Sequence, residues 1–137
     1  DGWDVDADTR EHWHARDSVL ASDGKAEGAH LWTKRDFGDF VMIADWRFPK
    51  RASAGSSRPS GIRVRGVSGP LVAVDRPAGK WSRFVITISG GKMRVELDGK
   101  TLTEGPLPEG VPARGRIGLL ARGRPVGLMN LFVRELD

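Results

Sequence analysis

The apolar residues of this chain fall in short alternating runs. The clearest is Phe40–Phe48, where Phe40, Met42, Ala44, Trp46 and Phe48 share one face and Val41, Ile43, Asp45 and Arg47 share the other. A period of two with β-branched and aromatic content predicts a strand. Gly38-Asp39 just before it predicts a turn or bulge. The first face, with Trp46, is expected to be core. The second carries Asp45 and Arg47 late in the strand, which is unusual for a strand buried on both sides. If a binding surface is built on a sheet, this strand is expected to cross it.

Similar runs continue along the chain. Trp13–Ala21 contains a strand with Trp13, Ala15, Val19 and Leu20 as its apolar members, followed by a turn at Ser22-Asp23-Gly24-Lys25. Ser60–Val67 alternates Ile62 and Val64 against Arg63 and Arg65, and Leu71–Val74 is a short apolar strand. Trp81–Ser89 sets Phe84, Ile86 and Ile88 against Arg83, Val85 and Thr87. Gly90-Gly91 and Asp98-Gly99 are hairpin signals, the second of type I′. Between them Met93, Val95 and Leu97 face inward and Glu96 joins Lys92 and Arg94 on an outer face. Thr101–Thr103 returns, Glu104–Arg114 is Pro/Gly-rich and extended, and Arg116–Ala121 is a strand. Val126–Leu136 is the last strand, either buried on both faces or bulged near Asn130. The run PKRASAGSSRP at 49–59 reads as an exposed connecting loop. No segment of ten or more residues has a helical period. Many short strands between frequent turns predict an all-β sandwich or barrel. A single domain over 1–137 is expected, with 1–11 as a polar N-terminal segment and no internal repeat.

Composition narrows this picture. A chain of 137 residues fits one domain with a real core. The absence of cysteine excludes disulfide and thiol chemistry. With no apolar run of the length a bilayer requires, no membrane span is expected. The chain opens at Asp1 without an initiator Met or a secretory leader pattern, and reads as part of a larger or processed protein. Lysine and arginine outnumber acids 22 to 18, giving a net charge of +4 and a pI near 10.0. That balance invites a nucleic-acid reading, but acids are interleaved throughout. The only dense basic patch, Arg114, Arg116, Arg122 and Arg124, sits near predicted turns, so nucleic acid is not the expected partner. Tyrosine and glutamine are absent and Asn130 is the only asparagine, which thins the usual stock of side-chain amides.

Candidate chemistry is sparse. Asp4, Asp6 and Asp8 open like a calcium loop, but the glycine and distal glutamate of such a loop fall on Thr9 and Ala15. His12 and His14 share a strand face, with His30 as the one further histidine, short of a zinc set without another ligand. No metal or cofactor is expected. There is no phosphate-binding loop, dinucleotide fingerprint or HExxH. Glycoside hydrolysis commonly needs two carboxylates about 5–10 Å apart, and Asp45 and Asp75, each with a partner the sequence does not identify, are the candidates. Arg63 and Arg65, on one strand face, form a positive stripe that is solvated, paired with Asp45 on a neighbouring strand, or holding an anionic or hydroxylated ligand. An acid beside arginines has its pKa lowered, which suits a salt bridge or a ligand contact better than a general acid.

Four fragments, in order, resemble the 3-keto-disaccharide hydrolase family: LWTKRDFGDFVMIADWRF, SGIRVRG, GKWSRFVITISGGKMRVELDGK and GRIGLLARGRPVGLMNLFVREL. The resemblance runs from about Trp13 to Leu136. It implies a concanavalin A-like jelly-roll sandwich of two antiparallel sheets, one of them concave, with carbohydrate as the ligand class and an extracytoplasmic location. The strand that carries Glu and Gln in the family has Leu71 and Ala73 here, and the family's asparagines fall on Pro59 and Ser82. Asn130, Arg65, Arg47 and Trp81 are retained. If the missing glutamate is the catalytic carboxylate, the resemblance implies a lectin-like, carbohydrate-binding module without the family's hydrolysis. Arg47, Arg63, Arg65, Asp45 and Trp81 are then its expected ligand-binding residues. An active glycoside hydrolase or lyase and a structural or protein-interaction domain are the alternatives.

Overall fold

The computed structural model describes residues 2–26, 28–49 and 59–136. It is a sandwich of two antiparallel sheets, as the strand pattern predicts. The five-stranded sheet has the order β1 (Trp3–Asp4), β4 (Leu31–Thr33), β11 (Gly118–Leu120), β6 (Gly61–Arg63), β7 (Leu71–Ala73). The seven-stranded sheet has the order β10 (Lys100–Pro106), β9 (Lys92–Leu97), β8 (Ser82–Ser89), β5 (Phe40–Arg47), β12 (Val126–Glu135), β3 (Val19–Ser22), β2 (Trp13–Arg16). The loop expected at 49–59 lies, apart from its two end prolines, outside the described residues.

Burial follows the alternation. Phe40, Met42, Ala44 and Trp46 of β5 and Phe84, Ile86 and Ile88 of β8 are buried between the sheets, opposite Ile62, Val72 and Leu119 of the smaller one. Trp46, the largest of the fully buried side chains, is 0% exposed, as its face predicts. The hairpin signals hold too: Gly90, Gly91, Asp98 and Gly99 all take positive φ, the backbone that a I′ turn requires. The bulge near Asn130 is present. Pairing of β12 with β5 shifts register between Met129 and Phe132, and Asn130 sits at φ 53°.

Four expectations need correction. Residues Ala7–His12 form a short helix, α1, inside the segment read as polar coil. Its start is fixed locally: the Asp6 carboxylate accepts from the Thr9 backbone N–H at 2.9 Å, and the Thr9 hydroxyl accepts from the Asp6 N–H at 2.9 Å. Trp13–Ala21 is not one strand but the hairpin β2–β3, turned at Asp17 and Ser18, both at positive φ. The return strand β10 runs to Pro106, past the predicted Thr103, with a register shift between Thr101 and Thr103. Finally, the Arg63–Arg65 stripe does not exist, because β6 ends at Arg63 and Arg65 turns back at φ 63°.

Candidate functional site

The expected binding residues separate onto different parts of the sandwich. Arg63 lies on the outer face of the five-stranded sheet. Arg65 is 4% exposed and points inward: its Nη1 donates to Pro112 O at 2.9 Å, and its Nη2 to Gly38 O at 2.9 Å and Asp39 Oδ1 at 3.1 Å. It ties loops together and has no access to a ligand.

Asp45, Arg47 and Trp81 belong to the other sheet. Asp45 pairs not with Arg63 or Arg65 but with Arg83, its direct partner on β8. Arg83 donates Nε and Nη2 to the two carboxylate oxygens at 2.8 and 3.0 Å, and Asn130 Nδ2 donates at 2.8 Å. The Arg83 fork holds this carboxyl below the usual range against the opposing effect of burial. Asp45 is therefore a saturated ion pair that pins the β12 bulge, unsuited to give or take a proton near neutrality. Arg47 covers the Trp81 ring at 4.7 Å. Asp75 is exposed beyond the end of β7, so the two candidate carboxylates are not gathered on one sheet.

The histidines are also dispersed. His12 pairs with Asp23, His14 contacts Glu11 O, and His30 is in the smaller sheet's surface. Asp4 pairs with Arg116, and Asp6 caps α1. Among the described residues no three His, Cys, Asp or Glu side chains are placed to share a metal ion. The basic patch is likewise divided: Arg114 and Arg116 pair with Glu135 and Asp4, and Arg124 covers Phe48.

A different constellation is assembled on the outer face of the five-stranded sheet. In β4, Leu31 and Thr33 are buried, so alternation sends Trp32, and His30 two residues before it, outward. Cross-strand register places Asp4, Trp32, Gly118, Arg63 and Leu71 in one row. Gly118 makes room. A Cβ there would lie 2.7 Å from Trp32 Cε3 and Cζ3 and 3.1 Å from His30 Cδ2. The two rings stack over this gap at 4.7 Å between centroids and 16° between planes. No second ring or guanidinium stacks on Trp32 among the described residues.

Arg63 locks the stack. Its Nε donates to His30 Nε2 at 3.1 Å, and its Nη1 donates to Gly69 O at 2.9 Å. Arg63 can only donate, so His30 Nε2 is the bare nitrogen and the proton sits on Nδ1. Burial, then the Arg63 charge, lowers the His30 pKa to about 4, with Arg122 adding in the same direction and a backbone hydrogen bond to Gly28 opposing. The imidazole is neutral at ordinary pH.

This has a measurable consequence. An unfolded-chain histidine titrates near 6.5, while folded His30 resists protonation until about 4. Between those values the unfolded state binds more protons, so His30 makes the fold less stable as pH falls from about 6.5 to about 4. Denaturant midpoints compared at about pH 7 and about pH 4.5 are expected to fall less in His30→Gln than in the parent. Identical drops would remove this assignment.

Sequence reading missed the Trp32–His30–Arg63 cluster. The i, i+2 spacing of the two rings was available, but the glycine beneath them is 86 positions from Trp32. Only strand pairing brings it there.

No protein-family model matches the chain, and no curated protein matches it. Solved structures do share its fold. A candidate glycosyl hydrolase from Parabacteroides distasonis superposes with a TM-score of 0.76 at 18% identity, over 98% of this chain and 94% of that one. The carbohydrate-binding module CBM66 from Bacillus subtilis gives 0.69 at 12% identity, over 90% and 91%. The alginate lyase AlgAT5 gives 0.63 at 13% identity, over 93% and 83%. The chain is an all-β, concanavalin A-like jelly-roll sandwich, the fold it shares with these three.

Proposed function

We propose that this chain is a lectin-like carbohydrate-binding module whose ligand lies on the outer face of the five-stranded sheet, against Trp32. The observation that carries this reading is the His30–Trp32 stack, held by Arg63 over Gly118. An indole with one ring face backed by the protein is a pre-ordered apolar platform. Beside it, Arg63 Nη2 has no protein partner among the described residues, and a planar guanidinium fork suits hydroxyl and carboxylate oxygens. Neighbours of the same fold that are named for carbohydrate binding, glycosyl hydrolysis and alginate cleavage support the ligand class.

The departures from the 3-keto-disaccharide hydrolase pattern support binding over turnover on the same face, and the resemblance itself supports an extracytoplasmic location. Its Glu and Gln positions correspond to Leu71 and Ala73, which pair in register with Arg63 and Gly61. The one acid in the Trp32 row, Asp4, is ion-paired with Arg116 at 3.1 Å. A two-carboxylate mechanism finds no pair there among the described residues.

The test is a glycan array with a panel of disaccharides and their 3-keto derivatives, with the same incubations assayed for product. Binding without product is expected. Trp32→Ala should weaken it at least about tenfold, an effect of about 1.4 kcal/mol, with the fold intact, while Trp81→Ala on the opposite sheet leaves it unchanged. Product formation would establish the hydrolase instead. Binding lost in Trp81→Ala but kept in Trp32→Ala would move the site to the other sheet. No binding and no product would favour an interaction domain, for which Phe132, 63% exposed on the outer face of the seven-stranded sheet, is the observation in hand.

A further inference from the structure

The charges around the Trp32 platform are unbalanced in a way that neutral sugar binding does not need. Arg63 and Arg122 both place positive charge near His30. Arg63 bonds to the imidazole directly. Arg122 Nη2 lies 3.6 Å from where a Cβ on Gly28 would stand, and Gly28 is the residue whose backbone bonds the same ring. Every ion pair in this neighbourhood leaves these two out: Asp4 goes to Arg116, and neither Arg63 nor Arg122 has an acidic partner among the described residues. Arg122 Nε is buried with no acceptor among the described residues. The Arg122 backbone is held in place, its N–H donating to Ser60 Oγ at 2.9 Å.

Two guanidinium groups near a neutral imidazole form a site with positive charge and spare donors, and with no acidic side chain among the described residues to pair with them. A guanidinium without an acidic partner gains from a ligand that brings a carboxylate to its outward Nη donors. Charge-assisted bonds from a guanidinium fork to a carboxylate are the strong, geometrically matched case.

We infer that the saccharide taken by this face is acidic, and that Arg63 and Arg122 receive the carboxylate of a uronic acid unit while Trp32 carries the ring. The inference rests on the carbohydrate-binding reading above and adds the ligand's charge. Arg63 also positions His30, so Arg122 is the residue through which the charge preference can be read by itself.

The experiment uses paired oligosaccharides: uronic-acid oligomers of several linkages and their carboxyl-reduced neutral twins, titrated calorimetrically into the purified chain at low and moderate salt. At least one acidic oligomer is expected to bind about tenfold or more tightly than its twin, with the advantage shrinking as salt rises. Arg122→Met should remove most of the acidic oligomer's advantage over its twin, leaving only the part that Arg63 supplies. Arg122→Lys, which keeps the charge and guards against a folding defect, should retain part of the preference. Equal affinity for acid and twin would overturn the inference while leaving the carbohydrate-binding reading in place. Tighter binding of sulfated saccharides than of uronates would overturn the carboxylate assignment. No binding of either twin would overturn the inference, and the carbohydrate-binding reading would then fall only if the glycan array were silent as well.

Discussion

Arg65→Ala is expected to lower the unfolding free energy by on the order of 3 kcal/mol, and to do so whether or not a ligand is present. The side chain is buried and supplies three hydrogen bonds: to the carbonyls of Pro112 and Gly38 and to the Asp39 carboxylate. Bonds from a charged donor contribute about 1.5–3 kcal/mol each, and buried acceptors left bare add to the loss. The site cannot collapse to compensate. Gly115 packs against the Arg65 backbone so closely that a Cβ there would sit 2.3 Å from its carbonyl carbon, and the residue holds φ 63°. In a chain of this size each kcal/mol moves the thermal midpoint by roughly 4 °C, so a drop of about 10 °C should be visible by calorimetry. Arg65→Lys should recover only part, because one ammonium cannot reproduce the fork. A loss below about 1 kcal/mol would show that the three bonds are not holding the loops.

This residue shows where the sequence stops being legible. Alternation continues on paper from Ser60 to Val67, and it put Arg63 and Arg65 on one face. The chain leaves the sheet after Arg63, and the mark of that exit is Gly66 and Gly69 downstream rather than any break in polarity. Asp45 teaches a related lesson. Its chemistry, a carboxylate paired with arginine, was readable; the identity of the arginine was not, because nothing local says that β5 and β6 lie in different sheets. The β5 core face, the Gly-Gly and Asp-Gly turns and the Asn130 bulge were all readable because each is decided by neighbours in sequence. The Asp17-Ser18 turn was not, since neither residue advertises positive φ as glycine does.

Gly118→Val should have the largest effect on the proposed ligand face. The added carbons would occupy the space under both rings, 2.7 Å from Trp32 and 3.1 Å from His30. Relief requires the indole to lift and the stack with His30 to open, which also disturbs the Arg63 bond. Overpacking of this kind costs about 1–3 kcal/mol. Sugar binding should fall by at least as much as in Trp32→Ala, because platform and positioned guanidinium are lost together. Tryptophan fluorescence and the binding isotherm read the two effects separately. An unaltered isotherm with a displaced indole would mean that the platform is not where the ligand rests.

The borders of the two sheets carry a further consequence. The seven-stranded sheet ends on one side at β10, which has a register shift and finishes in Pro106, and on the other at β2, four residues long with exposed His14 and Arg16. The smaller sheet ends in β1 and β7, of two and three residues. Irregularity, proline, charge and brevity are the devices that stop one sheet from extending into the next. Many copies of this sandwich crowded together would thus stay separate folded units, without strand exchange between them.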